Sequence, residues 1–223
     1  MIQLHNVAFS YPTGGFRLAV SDLRIERGEK VAFIGPSGSG KTTLLNLIAG
    51  IFRPAAGTIR VHDFDTAGAL DRARRDFRIT NIGFIFQDFG LIDYLSVLDN
   101  ILHPYRISGA LKMDGQVRQQ ARWFAEQMGI SARLQHRPAD LSHGERQRVA
   151  ICRALLPNPK LILADEATGN LDPDNKNHIL QLLFRAVDLQ GATVVAVTHD
   201  HELLRHFDRV IDFQEFIAPR ETA

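Results

Sequence analysis

Apolar and polar residues alternate near the start of the chain, over residues 2–9 and again over residues 16–25. This period of two predicts two antiparallel strands with one solvated face, joined by a turn at residues 12–15. Further along, short apolar runs predict additional strands that lie inside a sheet. These runs are at residues 30–34, 58–61, 82–86, 161–164, 192–197 and 209–213.

Helical patterning fills the intervals between these strands. Helices are predicted at residues 43–49, 70–78, 116–128, 149–156 and 175–189. We expect Pro104 and Gly109 to interrupt the helical segment that follows residue 87, because proline removes a backbone donor and glycine lowers helix propensity. Strands that alternate with helices predict an α/β fold with a mostly parallel sheet covered on both faces.

A single domain, residues 1–223, accounts for the whole pattern, since this length suits one large α/β domain. Residues 1–87 and 157–223 are predicted to form its core, with the antiparallel strands as an N-terminal β-subdomain. Residues 88–156 are predicted to form an inserted helical subdomain.

Composition narrows the classes of protein. The formal net charge is +1, which gives no basic excess of the kind expected for a nucleic-acid-binding protein. The one cysteine, Cys152, excludes an internal disulfide and fits a reducing compartment. No apolar run is long enough to span a bilayer, and the first residues lack the layout of a signal peptide. We therefore expect a soluble protein that is made in the cytosol and stays there.

The segment from Gly35 to Thr42 has a glycine, four free positions and then Gly-Lys-Thr, between a predicted strand and a predicted helix. This pattern in this context indicates a P-loop NTPase core. Its glycines allow backbone N–H groups to point at phosphate oxygens. Lys41 adds a charge at the β- and γ-phosphates, and the Thr42 hydroxyl suits magnesium. The predicted triphosphate-binding residues are Gly35, Pro36, Ser37, Gly38, Ser39, Gly40, Lys41, Thr42 and Thr43.

Two acids, Asp165 and Glu166, end the apolar strand predicted at residues 161–164. Neighbouring side chains on a strand point to opposite sides, so the two carboxylates need not titrate as a pair. They are predicted to divide two tasks. Asp165 would hold magnesium, and Glu166 would polarise the attacking water.

Ser142 and Glu145, three residues apart, form a capping-box pattern before a predicted helix. The simplest interpretation is a helix with a well-defined start. A second interpretation uses the same physics, because a helix N-terminus with a serine hydroxyl and a nearby glycine is also suited to bind phosphate.

These motifs, taken in order, resemble the nucleotide-binding subunits of ABC transporters over nearly the whole chain. Gly35 to Thr42 is similar to the Walker A loop, and Asp165 with Glu166 to the Walker B aspartate and catalytic glutamate. Residues 141–145, with Ser142, His143, Gly144 and Glu145, are similar to the LSGGQ signature. The resemblance implies ATP and Mg²⁺ as ligands.

Shorter motifs complete the resemblance. Tyr11 is similar to the aromatic residue that stacks on adenine, and Gln87 to the glutamine that reaches magnesium and senses the membrane partner. Asp172 is similar to the aspartate of the D-loop, and His199 to the switch histidine. Within the family, three stretches, at residues 136–138, 145–148 and 164–172, most resemble the ATPases of lipoprotein release, macrolide export and cell division. Many members of that group transmit force to periplasmic machinery instead of pumping a solute.

The resemblance implies a homodimer that binds two ATP molecules head to tail. The signature residues and Asp172 of one copy would then complete the site of the other copy. It also implies an integral-membrane permease subunit that contacts the region after Gln87, and a peripheral position on the cytoplasmic face of the plasma (inner) membrane. The apolar residues at 89–105 are either ordinary core or the groove for that permease. No nucleic-acid partner is expected.

Three departures from the family pattern stand out. His143 replaces a glycine of the signature, where it is either a tolerated substitution or a titratable donor near the γ-phosphate. If the position requires a positive φ angle, histidine is less suited to it than glycine. Glu145 replaces glutamine, and Ala167 replaces a proline after the catalytic glutamate.

Two other functions compete with the transporter hypothesis. A soluble ABC-type ATPase that acts on ribosomes or DNA would usually carry two cassettes or a long insertion, and this chain has one cassette and a short insertion. A switch GTPase needs an Asn-Lys-x-Asp guanine-binding motif. The nearest string, residues 175–178, ends in His178.

Overall fold

The computed structural model describes residues 1–13, 16–166 and 173–216. The strands are β1 (Ile2–Ser10), β2 (Arg17–Ile25), β3 (Lys30–Ile34), β4 (Ala56–Val61), β5 (Phe64–Asp65), β6 (Ile82–Ile85), β7 (Leu161–Asp165), β8 (Thr193–Val197) and β9 (Arg209–Asp212). The α-helices are α1 (Lys41–Ile48), α2 (Asp71–Asn81), α3 (Val97–Ile107), α4 (Gly115–Gln127), α5 (His143–Leu155) and α6 (Pro173–Gln190).

The central sheet has the strand order β6-β7-β8-β3-β9, and every neighbouring pair is parallel. All residues of β7 and β8 are buried, as expected for strands covered on both faces. The prediction of an α/β fold with a mostly parallel sheet is confirmed. Because the strands are parallel, the segments that follow β3, β6, β7 and β8 all lie at one edge of the sheet, where such folds bind ligands.

A second, antiparallel sheet has the order β2-β1-β4-β5. Alternate residues of β1 and β2 are buried, and Ile2, Leu4, Leu18 and Val20 belong to the same apolar cluster as Phe33 of the central sheet. The period of two at the start of the chain therefore reports one buried face, as predicted. The sequence did not predict β5, since a strand of two residues is too short to carry a pattern.

Helices α3, α4 and α5 fill the interval between β6 and β7. Ser96 caps α3 and Asp114 caps α4, each by accepting a backbone N–H three residues on. The prediction that Pro104 interrupts the helix is wrong, because α3 continues through it to Ile107. Pro104 lies in the last turn, where the lost backbone bond affects only the end of the helix. Gly109 lies between α3 and α4, as predicted.

Helix α5 contributes Cys152 to the core. This side chain is fully buried, and burial raises the pKa of its thiol. A buried, protonated thiol is chemically inert, so Cys152 acts as a small apolar residue.

Candidate functional site

The P-loop joins β3 to α1 through three glycines with positive φ angles: Gly35 (146°), Gly38 (76°) and Gly40 (106°). At Gly40 the backbone also approaches Phe16 closely. A Cβ atom built on Gly40 would lie 2.3 Å from the Cζ atom of Phe16. The positive φ angle therefore favours glycine at Gly40, and a side chain there would also displace the ring of Phe16. The glycine backbone lets the loop expose its N–H groups.

Lys41 reaches back into the loop that precedes it. Its Nζ atom donates to the carbonyl oxygens of Gly35 and Pro36, both at 2.8 Å. The side chain is buried, and desolvation lowers its pKa, whereas the charges of Glu166 and Asp165 raise it. The ammonium group is thus held at the centre of the loop, where phosphate oxygens could replace the carbonyl partners.

Asp165 ends β7 beside the first turn of α1. Burial is the largest influence on the pKa of Asp165 and raises it. The hydroxyl of Thr42 lies near enough to the carboxylate to lower this pKa, and the neighbouring charge of Glu166 raises it less than burial does. The pair of oxygen donors, a hydroxyl and a carboxylate, is of the kind that Mg²⁺ prefers.

Glu166 follows in a left-handed conformation with φ 46°. Its backbone N–H donates to the carbonyl oxygen of Val197 at 3.0 Å, which fixes it against the end of β8. Its Oε1 atom lies 3.3 Å from Nδ1 of His199. A carboxylate and an imidazole in contact at the edge of the sheet can accept and orient a proton.

The loop that carries His199 is fixed by a neighbour that the sequence analysis missed. Asp200 accepts from Nζ of Lys176 at 2.8 Å, and its own N–H donates to the Thr198 hydroxyl at 3.0 Å. The hydrogen bond from Lys176 holds the pKa of Asp200 below its usual range. Asp200 follows His199 directly, so the sequence does show an acid beside the histidine. Its partner Lys176 is 24 positions away, so the sequence does not show what the acid contacts.

A cavity of about 700 Å³ lies in front of the P-loop. The described residues that line it are Tyr11, Phe16, Ser37, Gly38, Gly40, Lys41, Thr42, Thr43, Gln87, Glu166, Val197 and His199. Tyr11 is hydrogen-bonded to Thr43, with 2.8 Å between the hydroxyl oxygens, and its ring packs among Phe9, Phe16 and Phe52. The sequence analysis missed Phe16, because its role depends on the close approach of Gly40.

Gln87 follows β6 and is exposed at the same cavity. The loop after it is tied to α5, since the guanidinium group of Arg153 donates to the carbonyl oxygens of Phe89 and Gly90. Burial lowers the pKa of Arg153 to about 10. The ring of Phe89 also contacts the ring of His143 edge-on, with 5.6 Å between centroids.

The capping box predicted at the start of α5 is present. The Ser142 Oγ atom accepts the N–H of Glu145 at 3.2 Å, and the Glu145 Oε2 atom accepts the N–H of Ser142 at 2.8 Å. His143 is the first helical residue of α5, so its position requires no positive φ angle. The substitution of glycine by His143 therefore carries no backbone strain.

The structure thus brings together the P-loop, Tyr11, Gln87, Glu166 and His199, with Asp165 directly beneath Thr42. Residues 142–145 are not among the described residues that line this cavity. Asp172, Ala167 and the rest of residues 167–172 lie outside the described residues, so their predicted roles stay predictions. Within the described residues, no group of His, Cys, Asp and Glu side chains could hold a metal ion by itself. His201 and His206, which lie close to His199 in the sequence, therefore do not form such a group.

A P-loop at the carboxyl edge of a parallel sheet, with strand-terminal acids opposite its lysine, defines the class of P-loop nucleoside triphosphatases. The ABC transporter family profile matches residues 18–169, and the chain belongs to this family. It is an ATP-binding subunit with ATPase activity, as the sequence analysis predicted.

Relatives of known name agree with the subgroup that the sequence suggested. The chain is 42% identical over 194 residues to the lipoprotein-releasing system ATP-binding protein LolD 2 of Caulobacter vibrioides. The aligned region covers 87% of this chain and 84% of that protein. The chain is also 40% identical over 224 residues to the macrolide export ATP-binding/permease protein MacB of Rhodopirellula baltica. This aligned region covers 99% of this chain and 33% of that longer protein. These transporter proteins favour the leading hypothesis over the soluble ribosome or DNA ATPase.

Solved structures of the bacterial ABC transporter cassette MJ0796 share the fold. The chain in its dimeric structure is 38% identical in sequence to this chain and superposes on it with a TM-score of 0.86. The superposition covers 95% of this chain and 94% of the MJ0796 chain. A dimeric post-hydrolysis state bound to ADP and Pi is 37% identical, with the same TM-score and coverage. These similarities indicate that this chain also forms a homodimer, and the relatives indicate a membrane partner.

Proposed function

We propose that two copies of this chain bind two ATP molecules between them and pass the resulting motion to a separate membrane subunit. Each ATP would lie between the P-loop of one copy and residues 142–145 of the other. The observation that carries the proposal is the composition of the cavity, since it holds Lys41, Glu166 and His199 but no described residue from 142–145. A site that is half complete in one copy is suited to closure by a second copy.

Within each site the groups have separate tasks. The N–H groups of the P-loop and Lys41 bind the phosphates, and Tyr11 stacks on the adenine. Glu166 accepts a proton from the attacking water, and His199, in contact with Glu166, orients its carboxylate. The loop around Asp200 holds the imidazole in place.

Magnesium fits the oxygen donors beside the P-loop. Thr42, Asp165 and Gln87 would hold it, and the hydroxyl–carboxylate contact between Thr42 and Asp165 supports this assignment. When bound, the ion supplies charge neutralisation for the phosphate groups.

The membrane subunit is proposed to bind a groove of about 680 Å³ beside the loop after Gln87. Its apolar lining includes Ile51, Ile79, Phe84, Phe86 and Ile107, and its charged lining consists of Arg72, Arg75, Arg78 and Arg153 with one acid, Asp76. The partner segment would therefore be apolar on one face and acidic at its margin. Leu98 is buried and belongs to the core, whereas Tyr94 is exposed nearby.

Three arginines of α2 support this assignment. Arg72, Arg75 and Arg78 all line the groove. In the described ranges, the structure has no helix long and apolar enough to cross a membrane. As the family resemblance implies, and in agreement with the names of its relatives, the chain would act at the cytoplasmic face of the inner membrane as a peripheral subunit, held by its partner. Lipoprotein release and macrolide export are the activities that the names of its relatives suggest, and force transmission is the activity that the family resemblance implies.

The substitution Glu166→Gln tests the catalytic assignment. ATP turnover should fall by about a hundredfold or more, because the amide cannot accept the proton of the attacking water. ATP binding, measured by equilibrium titration, should stay unchanged. Glu126→Gln, at an exposed position on α4, is the matched control and should leave both quantities unchanged. Near-normal turnover in Glu166→Gln would remove Glu166 from this role.

A further inference from the structure

Glu145 presents an electrostatic problem for the proposed site. It lies in the first turn of α5, at the helix end that would face the triphosphate of a second copy. A carboxylate in the first turn stabilises a helix, because it interacts favourably with the helix dipole. The same negative charge opposes the approach of a phosphate group to that helix end.

Arg133 neutralises this charge. It ends a short 3-10 helix after α4, and its Nε atom donates to Oε1 of Glu145 at 2.8 Å. The other oxygen, Oε2, accepts the N–H of Ser142 at 2.8 Å. The side chains of Arg133 and Glu145 are 43% and 23% exposed, so the pair is partly shielded from solvent. Both oxygens of the carboxylate are therefore engaged.

The same network fixes the hydroxyl group that the second copy would meet. Ser142 Oγ accepts the N–H of Glu145 at 3.2 Å, which leaves the hydroxyl hydrogen available for another acceptor. Ser142 is exposed. A serine hydroxyl held in this way is a donor that can meet a phosphate oxygen with little reorganisation.

We infer that Arg133 is a positioning residue for ATP-dependent dimerisation: it neutralises Glu145 and so makes the N-terminus of α5 acceptable to the triphosphate held by a second copy of this chain. This inference rests on the proposed function. Arg133 does not contact the nucleotide. It acts through Glu145 and Ser142.

The test measures dimerisation with ATP by analytical ultracentrifugation in the Glu166→Gln background, which keeps the nucleotide intact. Arg133→Gln should weaken the dimer about tenfold, because it exposes an uncompensated carboxylate to the phosphates. Arg133→Lys retains the charge and should dimerise nearly as well as the parent. The defect of Arg133→Gln should also diminish at high salt, since the repulsion is screened.

The double variant Arg133→Gln/Glu145→Gln distinguishes charge from structure. It removes both charges, so dimerisation should return to within about threefold of Glu145→Gln alone. Its failure to recover would overturn the inference, since it would mean that Arg133 acts only by supporting the fold. Dimerisation of Arg133→Gln equal to the parent would also overturn it.

Failure of the proposed function gives a different result. If the parent stays monomeric with ATP, the proposed function and this inference both fall. If the parent dimerises and only the Arg133 series shows no effect, the inference alone falls. ATP titration of each variant provides the folding control, because neither Arg133 nor Glu145 is among the described residues that line the cavity in front of the P-loop. Each folded variant should therefore bind ATP with the parent's affinity.

Discussion

The two surfaces that we propose to bind phosphate are both helix N-termini, but they are built in different ways. Helix α1 begins after Gly40, and no described side chain caps its first turn. Helix α5 begins after Ser142 and has both parts of a capping box. The first N–H groups of α1 are therefore open to a ligand, whereas one of those of α5 is already bonded to Ser142.

This difference separates the tasks of the two surfaces. The open N-terminus of α1, together with Lys41, can bind phosphate strongly in a single copy. The capped N-terminus of α5 has fewer free donors and a fixed shape, so it suits a ligand that another surface already holds. We expect ATP affinity to depend on the P-loop surface and dimerisation to depend on both surfaces.

The largest expected effect comes from Lys41→Ala, which breaks the P-loop surface. A charged hydrogen bond to a phosphate is lost, so ATP affinity should fall by about 10- to 100-fold. Isothermal titration with ATP measures the change, and Lys112→Ala, at an exposed position, is the matched control. An unchanged affinity in Lys41→Ala would place the phosphates elsewhere.

Ser142→Ala breaks the other surface and should have a smaller, more selective effect. The ATP affinity of the single copy should stay within about twofold of the wild-type value. ATP-dependent dimerisation in the Glu166→Gln background should weaken about tenfold, because one hydrogen bond to a charged group is lost. Loss of the cap should also lower the free energy of unfolding by about 1 kcal/mol. Ser131→Ala, at an exposed serine, is the control. A fall in single-copy affinity would assign Ser142 to the site of its own chain.

The smallest effect concerns acid stability at the start of α5. The N–H of Ser142 lowers the pKa of Glu145, and the hydrogen bond and charge of Arg133 act in the same direction. A carboxylate whose pKa is lower in the folded protein contributes stability above its unfolded pKa of about 4.3, and this contribution is lost as the pH falls through the folded pKa. The stability advantage of wild type over Glu145→Gln should therefore be about 1 kcal/mol or less at pH 7 and should diminish as the pH falls below about 4.3 and through the folded pKa.

Urea denaturation at a series of pH values measures this difference. The two proteins should converge as the carboxylate of Glu145 is protonated, and Glu126→Gln, at an exposed position on α4, is measured beside them as the matched control. A difference that stays constant down to pH 3 would mean that the charge of Glu145 contributes nothing to the stability of α5.

Much of the site was predictable, because its motifs are local. The P-loop and the strand-terminal acids can be recognised within a few neighbouring residues, and the parallel pairing of the strands places both at one edge of the sheet. The capping box of Ser142 and Glu145 is also a local pattern, and it is present as predicted.

The contacts that support these motifs were not predictable, since they join distant parts of the chain. Lys176 holds Asp200 across 24 positions, and Arg153 reaches Gly90 across 63. No spacing rule identifies such partners before the fold is known. The prediction for Pro104 was wrong for a different reason. Tertiary packing keeps α3 helical to its last turn although proline has a poor helix propensity.

The burial of Cys152 has a practical consequence. It is the one cysteine in the sequence, and maleimide reagents need an accessible thiolate, so the folded protein should stay unlabelled. A second cysteine introduced at an exposed position such as Lys112 could then carry a spin label or fluorophore without first removing Cys152. Two identical subunits would carry one probe each, and the distance between the probes would report directly how the subunits approach and separate during a turnover cycle.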